Sequence, residues 1–349
     1  MGDESKMDVV DADEQAESKY VKNTLPWVEK YRPKSLGELI AHEEIIQILN
    51  KLIDSNKLPH LLFYGPPGTG KTSTAMACAK KMYGEHYSSM TLELNASDDR
   101  GIDVVRNQIK EFAGTKKLFS SGVKLIILDE ADAMTSDAQA ALRRVIEKYT
   151  SNTRFCMICN YVNKIIPALQ SRCTKFRFAP LRAEQITSRL QIVIDAENVD
   201  CTEDGKNAVL SLAQGDLRRV LNLLQSASMA YDQVTEQAVY LTAGAAMPAV
   251  IEVIYTSLMN ESFEMAYRSL LKNIVDFGYA LCDIVTELSQ LVAATELPDA
   301  VMAHLMDKMS NVEFRLANGV SEKLQIGAVV GAFTIARAML TGPKSGEKM

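Results

Sequence analysis

The chain has 349 residues, of which 47% are hydrophobic and 23% are charged, and its formal net charge is −6. It is long enough for two or three domains with buried cores, and its proportions of hydrophobic and charged residues are those of an ordinary soluble globular protein. The negative charge excludes a protein that is basic throughout, although a local basic strip could still bind nucleic acid. No apolar run approaches the roughly 18 to 20 residues that cross a bilayer, so we expect no membrane partner. The six scattered cysteines are typical of reduced thiols in an intracellular protein.

The N-terminal part of the chain contains three dissimilar stretches. Residues 1–22 are acidic and poor in core-forming side chains, which predicts a disordered tail, with an acidic docking segment as the alternative. The stretch 25–33 holds the single tryptophan and either caps a core or folds across the base and ribose of a nucleotide. From Ser35 the apolar spacing predicts one helix that continues to Ile53 with one buried face.

The stretch 59–73, PHLLFYGPPGTGKTS, contains G-x-x-x-x-G-K-T between an apolar run typical of a strand and a helix-forming run. Glycines allow consecutive backbone N–H groups to surround phosphate oxygens, and the start of the helix adds partial positive charge. Lys71 is expected to reach the β- and γ-phosphates, and Thr72 to bind Mg²⁺. The alternative is a glycine turn that only joins strand to helix. The complete motif favours a nucleoside triphosphate site formed by Gly65, Pro66, Pro67, Gly68, Thr69, Gly70, Lys71, Thr72 and Ser73.

A second motif, KLIILDEAD at 124–132, combines a continuous apolar run with two carboxylates at its end. Such a run predicts a strand buried on both faces. Asp129 is expected to hold Mg²⁺ directly or through water, and Glu130 to polarise an attacking water. The nearest approach to the guanine-reading motif of GTPases begins at Asn163 and lacks its aspartate. The sequence therefore favours ATP over GTP.

Two predicted helices carry basic residues away from their apolar stripes. In the first, Arg106 and Lys110 lie one turn apart. The second opens at Ser136 with the pattern of a capping box, runs to Tyr149 and exposes Arg143. Solvated basic faces are the simpler interpretation, and nucleic-acid binding is favoured if both helices present their charge to the same side.

The stretch 154–160, RFCMICN, predicts another buried strand. Cys156 and Cys159 are three residues apart and therefore point to opposite faces of a strand, so they cannot bind one zinc ion. Asn160 at the strand end is placed to position a water molecule. Arg172 follows a short helix, where it forms either a surface ion pair or an arginine finger for a neighbouring subunit's γ-phosphate.

Beyond Leu181 the strand patterns give way to helical periodicity. Arg218, just inside one of these helices, could fold back onto the nucleotide. The last block is rich in Ala, Leu, Ile and Met without a catalytic constellation, which predicts a packing or oligomerisation domain. The predicted domains are a tail at 1–22, an α/β nucleotide-binding core at 23–180, a helical lid at 181–243 and a helical domain at 244–349.

Seven segments together resemble the small subunits of replication factor C, the eukaryotic clamp loader of the AAA+ ATPase family. The resemblance extends over nearly the whole chain from Leu25 on. The segments are VEKYRP at 28–33, GPPGTGKT at 65–72, LNASDDRGID at 94–103, LDEAD at 128–132, ICN ending at Asn160, SRC at 171–173 and GDLRR at 215–219.

The resemblance implies an AAA+ P-loop core with a parallel sheet, a helical lid and an all-α collar domain. It implies that Val28 and Arg32 contact the adenosine side of ATP and that Asn160 is the first sensor. It implies further that Arg172 acts in trans on a neighbour and that Arg218 is the second sensor, with Arg219 as the alternative. ATP and Mg²⁺ are the implied cofactors.

The resemblance also implies partners. The two basic helices, with Arg106, Lys110 and Arg143, would track primer–template DNA inside a subunit spiral. The collar would join other replication factor C subunits in a five-subunit ring that opens the proliferating cell nuclear antigen clamp and loads it onto DNA in replication and repair, in the nucleus. Two roles stay open: a hydrolysing ATPase subunit, or a structural ATP-binding subunit that chiefly donates Arg172 and collar contacts.

Overall fold

The computed structural model describes residues 25–39, 41–97, 102–114 and 122–341. Within the helix that begins at Ile102, the side chains of residues 102–106 are outside this description. The predicted acidic tail at 1–22 therefore lies outside the described residues, as does the side chain of Arg106.

Five strands form one parallel sheet in the order β2-β3-β4-β1-β5. The apolar runs of β1, β3 and β4 explain their central places, because strands covered on both faces need hydrophobic side chains on both. The predicted α/β core with a parallel sheet is confirmed. The strands are β1 Leu61–Tyr64, β2 Thr91–Asn95, β3 Lys124–Asp129, β4 Thr153–Cys159 and β5 Thr174–Arg177.

Helices account for most of the remaining described chain. Up to Ala230 they are α1 Trp27–Lys30, α2 Glu43–Asp54, α3 Lys71–Tyr83, α4 Tyr87–Met90, α5 Ile102–Gly114, α6 Ser136–Tyr149, α7 Pro167–Gln170, α8 Ala183–Glu197, α9 Glu203–Ala213 and α10 Leu217–Ala230. The rest are α11 Glu236–Ala243, α12 Pro248–Asn260, α13 Phe263–Phe277, α14 Leu281–Ala294, α15 Asp299–Ala317 and α16 Glu322–Thr341. Short 3₁₀ helices occur at Leu36–Glu38, Gly84–His86, Ala131–Ala133 and Val162–Lys164.

The three central strands, β1, β3 and β4, are buried on both faces, because successive side chains alternate between two hydrophobic clusters. One cluster joins Phe63 and Cys156 to side chains of α2 and α3. The other joins Leu62 and Cys159 to side chains of α5 and α6, including Ile109. The two cysteines lie on opposite faces of the sheet, as their spacing predicted.

Two predicted local structures are wrong. The helix predicted from Ser35 is instead a 3₁₀ turn at Leu36–Glu38, followed by α2. The break occurs because His42, at the start of α2, adopts the left-handed conformation with φ of 63°.

The capping box predicted at Ser136 is also wrong. Thr135 is the N-cap of α6, and its hydroxyl accepts a hydrogen bond from the backbone N–H of Ala138 at 3.3 Å. The Gln139 side chain donates to two backbone carbonyl oxygens outside the helix, those of Met134 and Lys164. It therefore ties α6 to neighbouring loops and does not close the cap.

The described chain forms two compact units. The first contains the sheet and extends to Cys201, together with Val209–Ser228. The second comprises Thr202–Ala208 and the chain from Met229 on. Its core is an all-helical cluster to which α12 to α16 contribute, with Phe333 and Leu288 fully buried.

One helix among the described residues, α16, is long and apolar enough to cross a membrane, with a mean hydropathy of 1.5. The bent pair α11 and α12 passes the same test if it is taken as one span. These criteria also fit the core helix of a soluble protein. Ile326, Val330 and Phe333 of α16 are buried in the helical core of the second unit, so the apolar character of α16 has an explanation in packing.

Candidate nucleotide-binding site

The candidate site lies at the carboxyl ends of three adjacent strands. Because β3, β4 and β1 are neighbours in a parallel sheet, the residues that follow them meet at one edge. β1 is followed by the phosphate loop, β3 ends at Asp129, and Asn160 follows β4. The topology thus brings together three segments that are far apart in the sequence.

Glycine is required in the phosphate loop by its close neighbours. A Cβ atom on Gly65 would lie 2.0 Å from the backbone oxygen of Phe178, and one on Gly68 would lie 1.7 Å from Oδ1 of Asp216. Gly65, Gly68 and Gly70 also have φ angles of 145°, 66° and 92°, which side chains disfavour. The loop is therefore packed between the end of the sheet and the start of α10.

Lys71 is the most buried cation of the site, with 7% of its surface exposed. Its Nζ donates hydrogen bonds to the backbone oxygens of Gly65 and Pro66, both at 2.8 Å, and to Oδ1 of Asn160 at 3.0 Å. Burial lowers the pKa of Lys71, and the carboxylate of Asp129 opposes that shift. The ammonium group is thus held inside the loop that is predicted to surround phosphate.

Thr72 and Asp129 form the candidate magnesium site. The Thr72 hydroxyl donates to Oδ2 of Asp129 at 2.7 Å. Mg²⁺ prefers oxygen ligands, and in phosphate sites the protein commonly supplies only one or two of them, with water and the phosphates completing the octahedron. This pair of oxygens at the mouth of a phosphate loop therefore fits a magnesium ion bound together with a nucleotide.

The residues after Asp129 turn back towards β4. Glu130 adopts a left-handed conformation with φ of 52°, and its side chain is exposed. The turn carries Asp132 to the end of β4, where its Oδ2 accepts hydrogen bonds from the backbone N–H groups of Asn160 at 3.3 Å and Tyr161 at 3.1 Å. Asp132 thus fixes the backbone of the residue whose side chain contacts Lys71.

These groups line a cavity of about 350 Å³. The lining includes most of the residues predicted from the sequence, whereas Gly65 and Pro66 contribute through their contacts with Lys71. The predicted residues that line it are Val28, Arg32, Pro67, Gly68, Thr69, Gly70, Lys71, Thr72, Ser73, Asp129, Glu130, Asn160 and Arg218.

The N-terminal segment is attached to the helices that follow the sheet. The backbone N–H of Trp27 donates to the Gln225 side chain at 3.1 Å. Lys30 and Tyr31 both donate to Oε1 of Glu197, at 2.6 Å and 2.5 Å. Burial, followed by the hydrogen bond to Glu197 and its negative charge, raises the pKa of Tyr31 to about 12. The segment therefore forms one wall of the cavity.

The helix α10 contacts the phosphate loop directly. The Asp216 carboxylate accepts from the backbone N–H groups of Arg218 at 2.8 Å and Arg219 at 3.3 Å. The N–H of Leu217 donates to the backbone oxygen of Gly68 at 3.4 Å. Arg218 lines the cavity, and its charge contributes to the lowered pKa of Lys71 after burial, so geometry favours Arg218 over Arg219 as the nucleotide contact.

Sequence reasoning missed two groups of this site. Asp132 stands in the LDEAD segment, but only the turn at Glu130 shows what it contacts. Arg189 of α8 lines the cavity and donates to the backbone oxygen of Tyr31 at 2.6 Å. No spacing signal connects Arg189 with the phosphate loop, because they are more than 100 residues apart.

Arg172 is not among the residues that line the cavity. Its guanidinium donates to the backbone oxygen of Ala168 at 2.7 Å and to the Glu147 carboxylate at 2.5 Å. In this chain it therefore forms the surface ion pair that was one of the two predicted alternatives, and it is separate from the chain's own site.

The two basic helices contact each other on one face of the sheet. Ile109 of α5 and Leu142 of α6 pack into the same hydrophobic cluster, while Lys110 and Arg143 are exposed. The two basic helices are therefore neighbours, and DNA binding by Arg106, Lys110 and Arg143 stays a prediction.

The fold and the loop define the class. The family described as ATPase family associated with various cellular activities (AAA) matches residues 61–181. A mutant form of the RuvB protein of Thermotoga maritima has a similar fold, with a TM-score of 0.50 and 14% identity over 74% of this chain and 91% of that one. The first unit is an AAA ATPase core.

The second unit and the full-length relatives define the family. The replication factor C C-terminal domain matches residues 246–332. Replication factor C subunit 5 of Mus musculus is 53% identical, covering 90% of this chain and 94% of that one, and replication factor C subunit 3 of Saccharomyces cerevisiae is 48% identical, covering 89% and 93%. The chain belongs to the family of replication factor C small subunits, which confirms the resemblance read from its sequence motifs.

Proposed function

We propose that this chain is the ATP-binding subunit of a five-subunit clamp loader that opens the proliferating cell nuclear antigen clamp and loads it onto primer–template DNA during replication and repair in the nucleus. The observation that carries the proposal is the cavity in which Lys71, Asp129 and Asn160 meet, within a chain of the replication factor C family. Other subunits of the complex are its partners, and its helical C-terminal region serves as the collar.

The residues of the site that the sequence predicted have the following roles in this proposal. Lys71 binds the β- and γ-phosphates by exchanging its present carbonyl partners for phosphate oxygens. Thr72 and Asp129 hold Mg²⁺, which when bound neutralises phosphate charge. Glu130 orients the attacking water. The remaining contacts are the loop N–H groups with the phosphates, Val28 and Arg32 with the adenosine side, Asn160 as first sensor and Arg218 as second sensor.

The division of the chain into a core at 23–180, a lid at 181–243 and a collar at 244–349 also remains a proposal. Its support is functional: the lid segment supplies Arg189 and Arg218 to the cavity, whereas no described residue of the collar segment lines it.

Arg172 acts in trans in this proposal, on the ATP bound by an adjacent subunit. In a reconstituted complex, Arg172→Ala should lower turnover at that adjacent site by on the order of 10³-fold, because an arginine finger stabilises charge on the transferred phosphoryl group. ATP affinity at this chain's own cavity should be unchanged, since Arg172 does not line it. Clamp loading and ATP turnover are measured together, with Arg177→Ala, an exposed arginine of β5, as the control. Wild-type turnover in the Arg172 variant would remove the trans role.

The DNA contact is proposed to run along α5 and α6, with Arg106, Lys110 and Arg143. In the assembled complex, Lys110→Ala combined with Arg143→Ala should weaken binding to primer–template DNA. The slope of log affinity against log salt should become shallower by about 1.8, because each lost phosphate contact removes about 0.9.

The control for the DNA measurement is Lys272→Ala with Lys308→Ala, which removes the same charge from exposed sites of the second unit. Its slope should equal that of the wild type. A wild-type slope in the Lys110 and Arg143 variant would instead identify these side chains as solvated surface charges.

A further inference from the structure

One carboxylate oxygen is shared by two arginines on the surface of the first unit. Oε1 of Glu147 accepts hydrogen bonds from Arg143 at 3.0 Å and from Arg172 at 2.5 Å. Arg143 lies one helical turn before Glu147 on α6, whereas Arg172 follows α7. The hydrogen bond from Arg143, with a further contribution from Arg172, lowers the pKa of Glu147, so the carboxylate is charged at neutral pH.

Stability alone does not account for this arrangement. The side chains of Arg172, Arg143 and Glu147 are 32%, 45% and 43% exposed, and ion pairs with this exposure stabilise proteins little. The two contacts of Arg172 instead restrict the orientation of its guanidinium group. It is held from two sides, by Glu147 on α6 and by the backbone oxygen of Ala168 on α7.

A guanidinium held by two acceptors on different elements has lost most of its freedom before a ligand arrives. Its planar group offers five N–H donors, so two contacts leave others for a phosphate. Ordering a reacting group in advance lowers the barrier of the step in which it takes part. Glu147 therefore supplies to Arg172 an orientation that a free arginine would lack.

We propose that Glu147 is the positioning residue of Arg172 and that DNA bound at Arg143 strengthens this positioning. The inference rests on the proposed roles of Arg172 in trans and of Arg143 on DNA. Both arginines now use the same oxygen of Glu147. A DNA phosphate that takes the Arg143 guanidinium removes one competitor, and the carboxylate is left to Arg172. DNA contact and the orientation of the trans-acting arginine are thereby connected through a single side chain.

The test uses a complex in which every subunit except the neighbour whose ATP faces Arg172 carries a substitution of its general base, with Glu130→Gln in this chain, so that only the neighbour's site turns over. Glu147→Gln should lower kcat at that site about 10-fold, as small misplacements of a reacting group do, with KM for ATP unchanged. Combined with Arg172→Ala, it should lower kcat no further than Arg172→Ala alone, since Glu147 acts through Arg172. A purely structural role would instead give additive losses.

The matched control is Glu264→Gln, which removes an exposed carboxylate that pairs with Arg268 in the second unit at 2.5 Å and the same i, i+4 spacing. Turnover should keep its wild-type stimulation by primed DNA in the control and lose most of it in Glu147→Gln. If Glu147→Gln keeps the wild-type kcat and the wild-type stimulation by DNA while kcat is impaired in Arg172→Ala, the positioning role of Glu147 is wrong and the trans role of Arg172 stands. Wild-type kcat in Arg172→Ala would overturn the trans role itself.

Discussion

Replacing Lys71 with methionine is expected to lower the affinity of the chain for ATP about 100-fold or more. A charge-assisted hydrogen bond contributes about 1.5–3 kcal/mol, and Lys71 is proposed to make such contacts with two phosphates. A tenfold change in affinity corresponds to about 1.4 kcal/mol of binding free energy. An affinity loss of about 100-fold is therefore expected even if water replaces part of these contacts. Equilibrium binding of a fluorescent ATP analogue to the purified chain measures it.

Lys80→Met is the matched control for Lys71, because Lys80 is an exposed lysine of the same helix and does not line the cavity. Its ATP affinity should equal that of the wild type. The thermal midpoint of the Lys71 variant shows whether the chain remains folded. Wild-type affinity in folded Lys71→Met would contradict the assignment of the phosphate site.

Replacing Glu130 with glutamine should preserve ATP binding and slow hydrolysis at this chain's own site by about 10²–10⁴-fold, the usual contribution of a general base. Glutamine keeps the size of the side chain and cannot accept the proton. In the assembled complex with primed DNA, the burst of phosphate in the first turnover should fall by about one equivalent per complex, as expected for one silenced site.

The Glu130 variant also decides between the two roles left open by the sequence. Glu85→Gln, an exposed glutamate in a 3₁₀ turn, serves as its control and should give the wild-type burst. An undiminished burst in Glu130→Gln would favour a structural ATP-binding subunit that acts through Arg172 and its collar.

The sheet and the phosphate site could be predicted because their signals are local and mutually consistent. The phosphate loop requires a strand before it and a helix after it, and β1 and α3 occupy those places. Residues at the carboxyl ends of adjacent parallel strands must then meet, which places Asp129 and Asn160 near Lys71. The roles given to these residues remain predictions.

The parts that sequence could not predict depend on single backbone conformations and on distant packing. His42 has φ of 63° and divides the helix predicted from Ser35. Glu130 has φ of 52°, and only that turn brings Asp132 to the backbone of Asn160. Arg189 reaches the cavity because α8 packs beside the N-terminal segment, a tertiary arrangement without a periodic signal.

The surface around Arg172 shows a different limit of sequence reasoning. An arginine after a short helix indicated either an ion pair or a trans-acting group. The structure shows the ion pair with Glu147 and leaves the guanidinium outside the chain's own cavity. The ion pair does not exclude the proposed trans role, because the planar guanidinium has further N–H donors, and that role stays a prediction.

We propose in addition that a neighbouring subunit supplies an arginine to this chain's own ATP site, as Arg172 is proposed to do for an adjacent subunit. ATP binding and ATP hydrolysis are followed for the purified chain alone and for the same chain in the assembled complex with primed DNA. The chain alone should bind ATP and hydrolyse it no faster than its Glu130→Gln variant, and assembly should restore turnover that depends on Glu130. Brisk, Glu130-dependent hydrolysis by the purified chain alone would contradict the claim.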